Sequence, residues 1–164
     1  AKSIYEVPSL YSKYGLDVAL LKQLGYKPKN HKLNLKPWID LQKKIKKRKY
    51  KVKIAVVGKY TNLKDSYKSL NEALVHGGIE NSADVDIQWI NSEKENNASL
   101  IKKLKGCHGI LIPGGFGIRG INGKINAIKY ARENNIPFFG ICLGMQLSVI
   151  EIAQNVLKIK NAHS

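Results

Sequence analysis

The 164-residue sequence predicts an α/β fold: a partial, open and mostly parallel sheet with flanking helices. Three observations support this prediction. Short apolar runs recur along residues 53–164, segments with helical periodicity separate them, and glycine-rich turns follow two of the runs. Parallel strands are buried on both faces, so they read as continuous apolar runs rather than as alternating patterns.

The first strand and helix follow residue 53. The apolar run Ile54–Gly58 predicts a buried strand, and the spacing of apolar residues predicts a helix over Asp65–His76. Gly77 and Gly78 come directly afterwards. We expect them to close the helix, because glycine readily adopts the left-handed conformation of a C-cap.

Three more pairs repeat this pattern of an apolar run followed by helical periodicity. They predict strands and helices, alternating in chain order, over Val85–Ile90, Ala98–Leu104, Gly109–Ile112, Asn122–Asn134, Phe138–Ile141 and Leu143–Leu157. A four-stranded sheet with an open edge is small for a doubly wound domain. We therefore expect this fold to be truncated and its sheet to continue beyond residue 164.

Residues 1–53 differ in composition from the rest of the chain. They hold 15 Lys/Arg and 3 Asp/Glu, a net charge of +12, whereas residues 54–164 carry +4. Ser9–Leu24 has weak helical periodicity, and Gly25 is expected to end that helix. The segment has too few apolar residues for a core of its own, so a tail and a linker are expected.

Composition also excludes several classes of protein. The apolar runs reach about five residues, far below the roughly 20 that cross a bilayer, and no signal sequence opens the chain. Two cysteines do not make a disulfide scaffold, so a cytoplasmic protein without a membrane partner is expected. The basic run Lys43–Lys53 suits an anionic partner, but a bias of 25 Lys to 3 Arg and sparse aromatics disfavour nucleic acid.

The strongest chemical signal is the pattern of a small residue, a nucleophile and another small residue around Cys142. It falls where a predicted buried strand meets a helix, which is the place of a nucleophile elbow. Gly140 and Gly144 are expected because the turn is tight and side chains there would clash. The backbone N–H of Leu143 would then bind an oxyanion. The alternative is a structural cysteine flanked by chance glycines.

A second glycine-rich stretch, Pro113–Gly120, follows the third predicted strand. In an open parallel sheet, ligands bind outside the carboxyl ends of the strands, so this loop is expected beside Cys142. Gly115 is a candidate second oxyanion donor. A phosphate cradle is a weaker alternative, because neither a GK[ST] sequence nor GxGxxG is present, and a merely flexible turn also remains open.

The four histidines carry no motif that pairs them with Cys142, and no His/Cys spacing typical of a metal site occurs. The sequence therefore predicts no metal site. A lone histidine is more often structural than catalytic. The general acid that a thiol-acyl reaction needs is not identified by the pattern of residues.

Taken together, these motifs resemble a known family. GICLGMQ after an apolar strand, with PGG upstream, is similar to the class I, triad-type glutamine amidotransferases, whose fold is flavodoxin-like. The stretches VGKYTNLKDSYKSLNEALVHGG, PGGFGIRG and ARENNIPFFGICLGMQLSVIEIA, and SIYEVP at Ser3–Pro8, resemble more narrowly the CTP synthase family of these enzymes. The resemblance covers essentially the whole chain.

The resemblance implies an enzyme that aminates UTP to CTP with ATP and Mg²⁺ in a synthetase domain. Ammonia would come from L-glutamine hydrolysed in the amidotransferase domain, with GTP as activator and a homotetramer as the working form. No cofactor would bind to this chain itself. The resemblance assigns Cys142 as the nucleophile. It assigns the oxyanion hole and glutamine binding to Gly115, Leu143 and Gln146. It assigns a lid to Phe116, Gly117, Arg119 and Gly120.

By the same resemblance, residues 1–26 would end the synthetase domain, 27–52 would form a basic interdomain linker, and 53–164 would be the N-terminal half of the amidotransferase domain. The catalytic His and Glu of the family would lie downstream of this chain. The isolated chain is therefore expected to be inactive, and the partner it needs is the remainder of the enzyme. The alternative is a catalytically inactive remnant of a split or decaying gene.

Overall fold

One parallel sheet organises the protein. A computed structural model describes residues 1, 3–27, 33–59 and 64–163. The strands are β1 (Tyr50–Gly58), β2 (Ala83–Asn91), β3 (Gly109–Ile112) and β4 (Phe138–Gly140), and they lie in the order β2-β1-β3-β4. Every neighbouring pair is parallel, which confirms the predicted α/β class and leaves β2 and β4 as open edges.

Helices precede the sheet and cover its faces. Within the described ranges the α-helices are α1 (Val7–Lys13), α2 (Leu16–Gln23), α3 (Lys36–Lys46), α4 (Lys68–Glu80), α5 (Asn97–Leu104), α6 (Ile121–Glu133) and α7 (Leu143–Asn155). Short 3₁₀ helices span Ile4–Glu6 and Lys64–Tyr67. None of the helices in these ranges is long and apolar enough to cross a membrane.

The main core lies between one face of the sheet and helices α5, α6 and α7. Alternate residues of β1 and β3 point into it, and removing each aliphatic side chain from water contributes about 1.5–3 kcal/mol. The buried cluster consists of Ala55, Val57, Ile90, Leu100, Leu104, Cys107, Ile110, Ile112, Ala127, Ile128, Ala131, Leu143, Leu147 and Ile150. This core holds the ends of β3 and β4 in place, and the candidate site is built on those ends.

The first strand is longer than predicted. It begins at Tyr50 rather than at the predicted Ile54. The four additional residues pair with β2 but not with β3. There the side chains are exposed or half-buried, so lysines are tolerated and the apolar signal is lost. The continuous apolar pattern of a central parallel strand begins at Ile54, where β1 also starts to pair with β3.

The prediction that Gly77 and Gly78 close a helix is wrong. Both lie inside α4, which continues to Glu80. A Cβ built on Gly78 would lie 2.6 Å from a Val85 side-chain carbon and 2.8 Å from the Ala83 carbonyl oxygen. Gly78 therefore lets α4 pack closely on β2, which is a packing role and not a cap.

The N-terminal helices form no core of their own, as expected. Helices α1, α2 and α3 contain no buried residue. The single helix predicted over Ser9–Leu24 is wrong, because Gly15 adopts φ 74° and divides it in two. Gly25, with φ 80°, does end the second helix. The structure also adds α3 within the segment 27–52, where no helix was predicted.

Candidate active site

Cys142 occupies a sharp turn between a strand and a helix. β4 ends at Gly140, α7 begins at Leu143, and Cys142 is the helix N-cap with φ 51° and ψ −108°. A residue other than glycine rarely adopts a positive φ, and this conformation costs on the order of 1–3 kcal/mol. Cys142 is exposed. The turn thus presents a thiol at the carboxyl end of the sheet, with the strained backbone of a nucleophile elbow.

Both glycines that flank the cysteine are required by packing. A Cβ built on Gly140 would lie 2.5 Å from the carbonyl carbon of Gly144 and 2.6 Å from the backbone nitrogen of Met145. A Cβ on Gly144 would overlap the carbonyl oxygen of Ile112 in β3. Real Cβ atoms do not approach backbone this closely, so chance glycines do not explain the pattern.

The glycine-rich loop after β3 lies directly beside the elbow. A Cβ built on Gly114 would be 3.6 Å from the Cβ of Cys142, and one on Gly115 would be 3.9 Å from Cδ2 of Leu143. Leu143 is the first residue of α7, so its N–H has no intrahelical acceptor. The N–H groups of Gly115 and Leu143 donate no hydrogen bond to another described residue. Gly115 and Leu143 thus each have a backbone donor with no acceptor among the described residues, and they lie on the two segments that meet at Cys142.

Gln146 follows the turn in α7, and the predicted lid continues the loop that carries Gly115. Gln146 is exposed one turn into α7, and its N–H donates to the carbonyl of Cys142 at 3.1 Å. Phe116 is 91 % exposed, and Gly117 and Gly120 have φ of 76° and 72°. The resulting loop is a surface loop with two left-handed residues at positions where only glycine is unstrained.

Arg119, at the end of this loop before α6, faces an acidic partner. Its Nε lies 3.5 Å from Oε1 of Glu93, in the turn after β2. The arginine side chain is 72 % exposed, so this ion pair contributes little to stability. Arg119 also lines an open groove of about 530 Å³ together with Glu93, Gly120 and Asn126.

Two buried lysines beneath the loop were missed by the sequence analysis. Lys59 is 7 % exposed, and its Nζ donates to the carbonyls of Phe116 at 2.7 Å and Gly117 at 3.2 Å. Lys124 on α6 is 1 % exposed, and its Nζ lies 3.6 Å from a Cβ built on Gly115. The position of Lys59 directly after a buried strand was the one available signal, and nothing in a lysine-rich sequence distinguishes Lys124.

Burial lowers the pKa of Lys124. Loss of hydration, and then the positive charge of Lys59, lower the pKa of the Lys124 ammonium below its usual value of 10.5, and Glu93 opposes the shift. The glycine-rich loop thus lies against two buried lysine side chains.

No histidine of the described residues contacts Cys142. The Nε2 atom of His76 is hydrogen-bonded to the hydroxyl of Tyr5, and Nδ1 of His108 accepts from the backbone N–H of Lys53 at 2.9 Å. His163 lines a groove of about 620 Å³ between α6 and α7. His31 lies outside the described residues, as do residues 60–63. In the described ranges no three His, Cys, Asp or Glu residues form a cluster that could hold a metal ion.

Fold and site together define an α/β protein in which a cysteine with the backbone of a nucleophile elbow lies beside a glycine-rich loop. The profile of the family "Glutamine amidotransferase class-I" matches residues 62–164. The chain therefore belongs to the class-I glutamine amidotransferase family. Within that family its relatives are CTP synthases.

Three bacterial CTP synthases illustrate this similarity. The chain is 52 % identical over 164 residues to that of Bdellovibrio bacteriovorus, 50 % identical over 162 residues to that of Bartonella henselae, and 52 % identical over 161 residues to that of Rickettsia bellii. The alignments cover 100 %, 99 % and 98 % of this chain but only 30 %, 30 % and 29 % of the relatives. The chain thus spans about a third of their length.

A solved structure agrees with the sequence relatives. The Trypanosoma brucei CTPS glutaminase domain with bound acivicin matches with a TM-score of 0.61 and 42 % sequence identity. The match covers 69 % of this chain and 44 % of that chain. The parallel sheet and its flanking helices are therefore those of a CTPS glutaminase domain, as the sequence resemblance implied.

Proposed function

We propose that this chain supplies the nucleophile of the glutamine-hydrolysing site of a CTP synthase. One observation supports this above all others: Cys142 has the strained backbone of a nucleophile elbow, and the loop carrying Gly115 packs against it. The family membership and the CTP synthase relatives agree with this function.

In this proposal the thiolate of Cys142 attacks the carboxamide carbon of L-glutamine. A C–S bond forms while the carbonyl π electrons move onto oxygen, and the N–H groups of Gly115 and Leu143 bind that oxyanion. The C–N bond then breaks, ammonia leaves once its nitrogen is protonated, and water hydrolyses the glutamyl thioester. Gln146 is exposed one turn along α7 and is placed to bind the substrate's polar groups.

The remainder of the enzyme has to supply what this site lacks. A general acid and its orienting carboxylate must come from outside the described residues, since no described histidine contacts Cys142. In this proposal the assembled protein is a homotetramer that uses the ammonia to convert UTP to CTP with ATP and Mg²⁺. The loop with Phe116, Gly117, Arg119 and Gly120 would be the lid that responds to GTP.

Labelling with acivicin tests the site directly, because acivicin is a thiol-reactive glutamine analogue and is bound in the related glutaminase domain. The full-length protein is treated with acivicin, and each cysteine is followed by mass spectrometry. We expect Cys142 to be modified and Cys107 to be spared, because Cys107 is buried and burial raises the pKa of its thiol. Cys142→Ala should abolish glutamine hydrolysis.

Equal labelling of both cysteines, or ammonia release that survives in Cys142→Ala, would contradict the proposal. A protein that folds but neither binds acivicin nor releases ammonia would support an inactive remnant instead. Glutamine protection against labelling provides the specificity control, since it requires a formed substrate site and not merely an accessible thiol.

A further inference from the structure

We propose that Lys59 is a positioning residue for glutamine hydrolysis: it holds the loop that carries Gly115 in its position beside Cys142. The inference rests on the proposed function of the site. Lys59 does not touch the reacting atoms in this scheme. It acts through the backbone of Phe116 and Gly117.

The contacts of Lys59 are directed and short. Its side chain leaves the end of β1 and is buried, and Nζ donates to two successive carbonyls, Phe116 O at 2.7 Å and Gly117 O at 3.2 Å. Hydrogen bonds from an ammonium group are charge-assisted and about twice as strong as neutral ones. A side chain from the sheet thus fixes a loop that is otherwise exposed at Phe116 and Ile118.

The backbone conformation of the loop allows both carbonyls to reach Lys59. In an extended chain successive carbonyls point in opposite directions, so both cannot reach one ammonium group. Gly117, with φ 76°, departs from the extended conformation, and its two flanking peptide units present their oxygens to Lys59. The peptide bonds are trans, so the N–H groups of Gly117 and Ile118 point away from Lys59.

Lys124 lies beside the preceding residue of the same loop. Its buried Nζ lies 3.6 Å from a Cβ built on Gly115, while Cδ2 of Leu143 lies 3.9 Å from that same point. Gly115 therefore lies close to side chains of both α6 and the elbow, and Lys59 binds the carbonyls of the next two residues. Loss of the Lys59 contacts would leave Gly115 attached to β3 but free to turn.

Such freedom has a calculable cost. A displacement of about 1 Å in a catalytic group can cost on the order of 10²-fold in rate, and loss of one oxyanion donor costs about 10²–10³-fold. We expect Lys59→Met to lower the rate of Cys142 modification by acivicin about 10- to 100-fold. Iodoacetamide needs only an accessible thiolate, so its rate with Cys142 should change less than about twofold.

The experiment compares the full-length protein with four single-residue variants. Lys59→Met removes the ammonium, Lys59→Arg keeps a cationic donor that can reach two acceptors, and Lys94→Met is a control at an exposed lysine. Cys142→Ala gives the background. Thermal unfolding of each variant reports on folding, and rates with acivicin and iodoacetamide are measured in parallel.

Selective loss of the acivicin reaction in Lys59→Met, with recovery in Lys59→Arg and no effect in Lys94→Met, is the expected result. A parallel fall with both reagents would mean that Lys59 only supports the fold of the elbow, and would overturn the inference. Unchanged acivicin labelling in Lys59→Met would overturn it as well. If the unsubstituted protein itself shows no selective labelling of Cys142, the proposed function fails, and the role of Lys59 fails with it.

Discussion

Replacing Gly140 by alanine tests whether the elbow is determined by sterics. The new Cβ would lie 2.5 Å from the carbonyl carbon of Gly144 and 2.6 Å from the nitrogen of Met145. Real Cβ atoms essentially never lie closer than 3.0 Å to such a neighbour, so the first turn of α7 must move by at least about 0.5 Å. The obstacles are backbone atoms and cannot rotate away.

The magnitude follows from two opposing terms. Overpacking costs about 1–3 kcal/mol, and backbone obstacles place this site at the upper end. Replacing glycine by alanine lowers the entropy of the unfolded chain and returns about 0.4–1 kcal/mol. We therefore expect the free energy of unfolding to fall by about 2 kcal/mol, and acivicin labelling of Cys142 to slow by about tenfold as the oxyanion donors shift.

Gly109→Ala is the matched control, since it is also a glycine in a strand of the sheet. Its Cβ would lie 2.9 Å from Cδ1 of Ile54, the flexible end of a side chain beside an apolar groove of about 200 Å³. We expect its stability to change by less than about 0.5 kcal/mol. Urea denaturation measures both variants. Equal stability of Gly140→Ala and the unsubstituted protein would refute the steric argument.

Three further predictions concern packing and charge. Gly78→Ala should lower the free energy of unfolding by about 1–3 kcal/mol in urea denaturation, because its Cβ would lie 2.6–2.8 Å from atoms of β2; a stabilised variant would show that α4 has room to move. Arg132→Met should lower the urea midpoint, because it leaves the fully buried carboxylate of Glu151 without its partner at 2.8 Å. Lys129→Met removes only an exposed ion pair and should leave the midpoint unchanged, so equal effects would argue against the burial argument. Lys124→Met should flatten the pH dependence of stability. In the unsubstituted protein the pKa of Lys124 is lower in the folded state than in the unfolded state. Between the two pKa values the unfolded chain binds more protons, so stability rises with pH there, and the variant loses this contribution. Urea midpoints at about pH 8 and pH 10 measure the slope, and an unchanged slope in the variant would contradict it.

The sequence predicted the sheet well because its central strands are buried on both faces. Gly109–Ile112 has the predicted bounds, and the remaining strands and the helices α5 to α7 differ by a few residues at their ends. The larger errors have local causes. Gly15 interrupts a weak helical pattern. Lys51 and Lys53 interrupt the apolar pattern at the start of β1, where the strand pairs with β2 alone.

The elbow could be located from the sequence, since the spacing of Gly140, Cys142 and Gly144 between a strand and a helix has few structural solutions. Helix α3 was missed because its apolar residues Trp38, Leu41 and Ile45 are sparse among lysines. A proline at its start and helical spacing of those three residues were the available signals.

The sequence by itself determined the α/β class, the parallel sheet and the place of the reactive thiol, because apolar periodicity and the steric demands of glycine are local properties. Only the tertiary structure decided that Gly78 is a packing residue, and that Lys59 and Lys124 lie buried beneath the loop of Gly115. Burial of a lysine depends on which segments meet around it. Lys59 reaches Phe116 across 57 positions of the chain, and no local pattern encodes that contact.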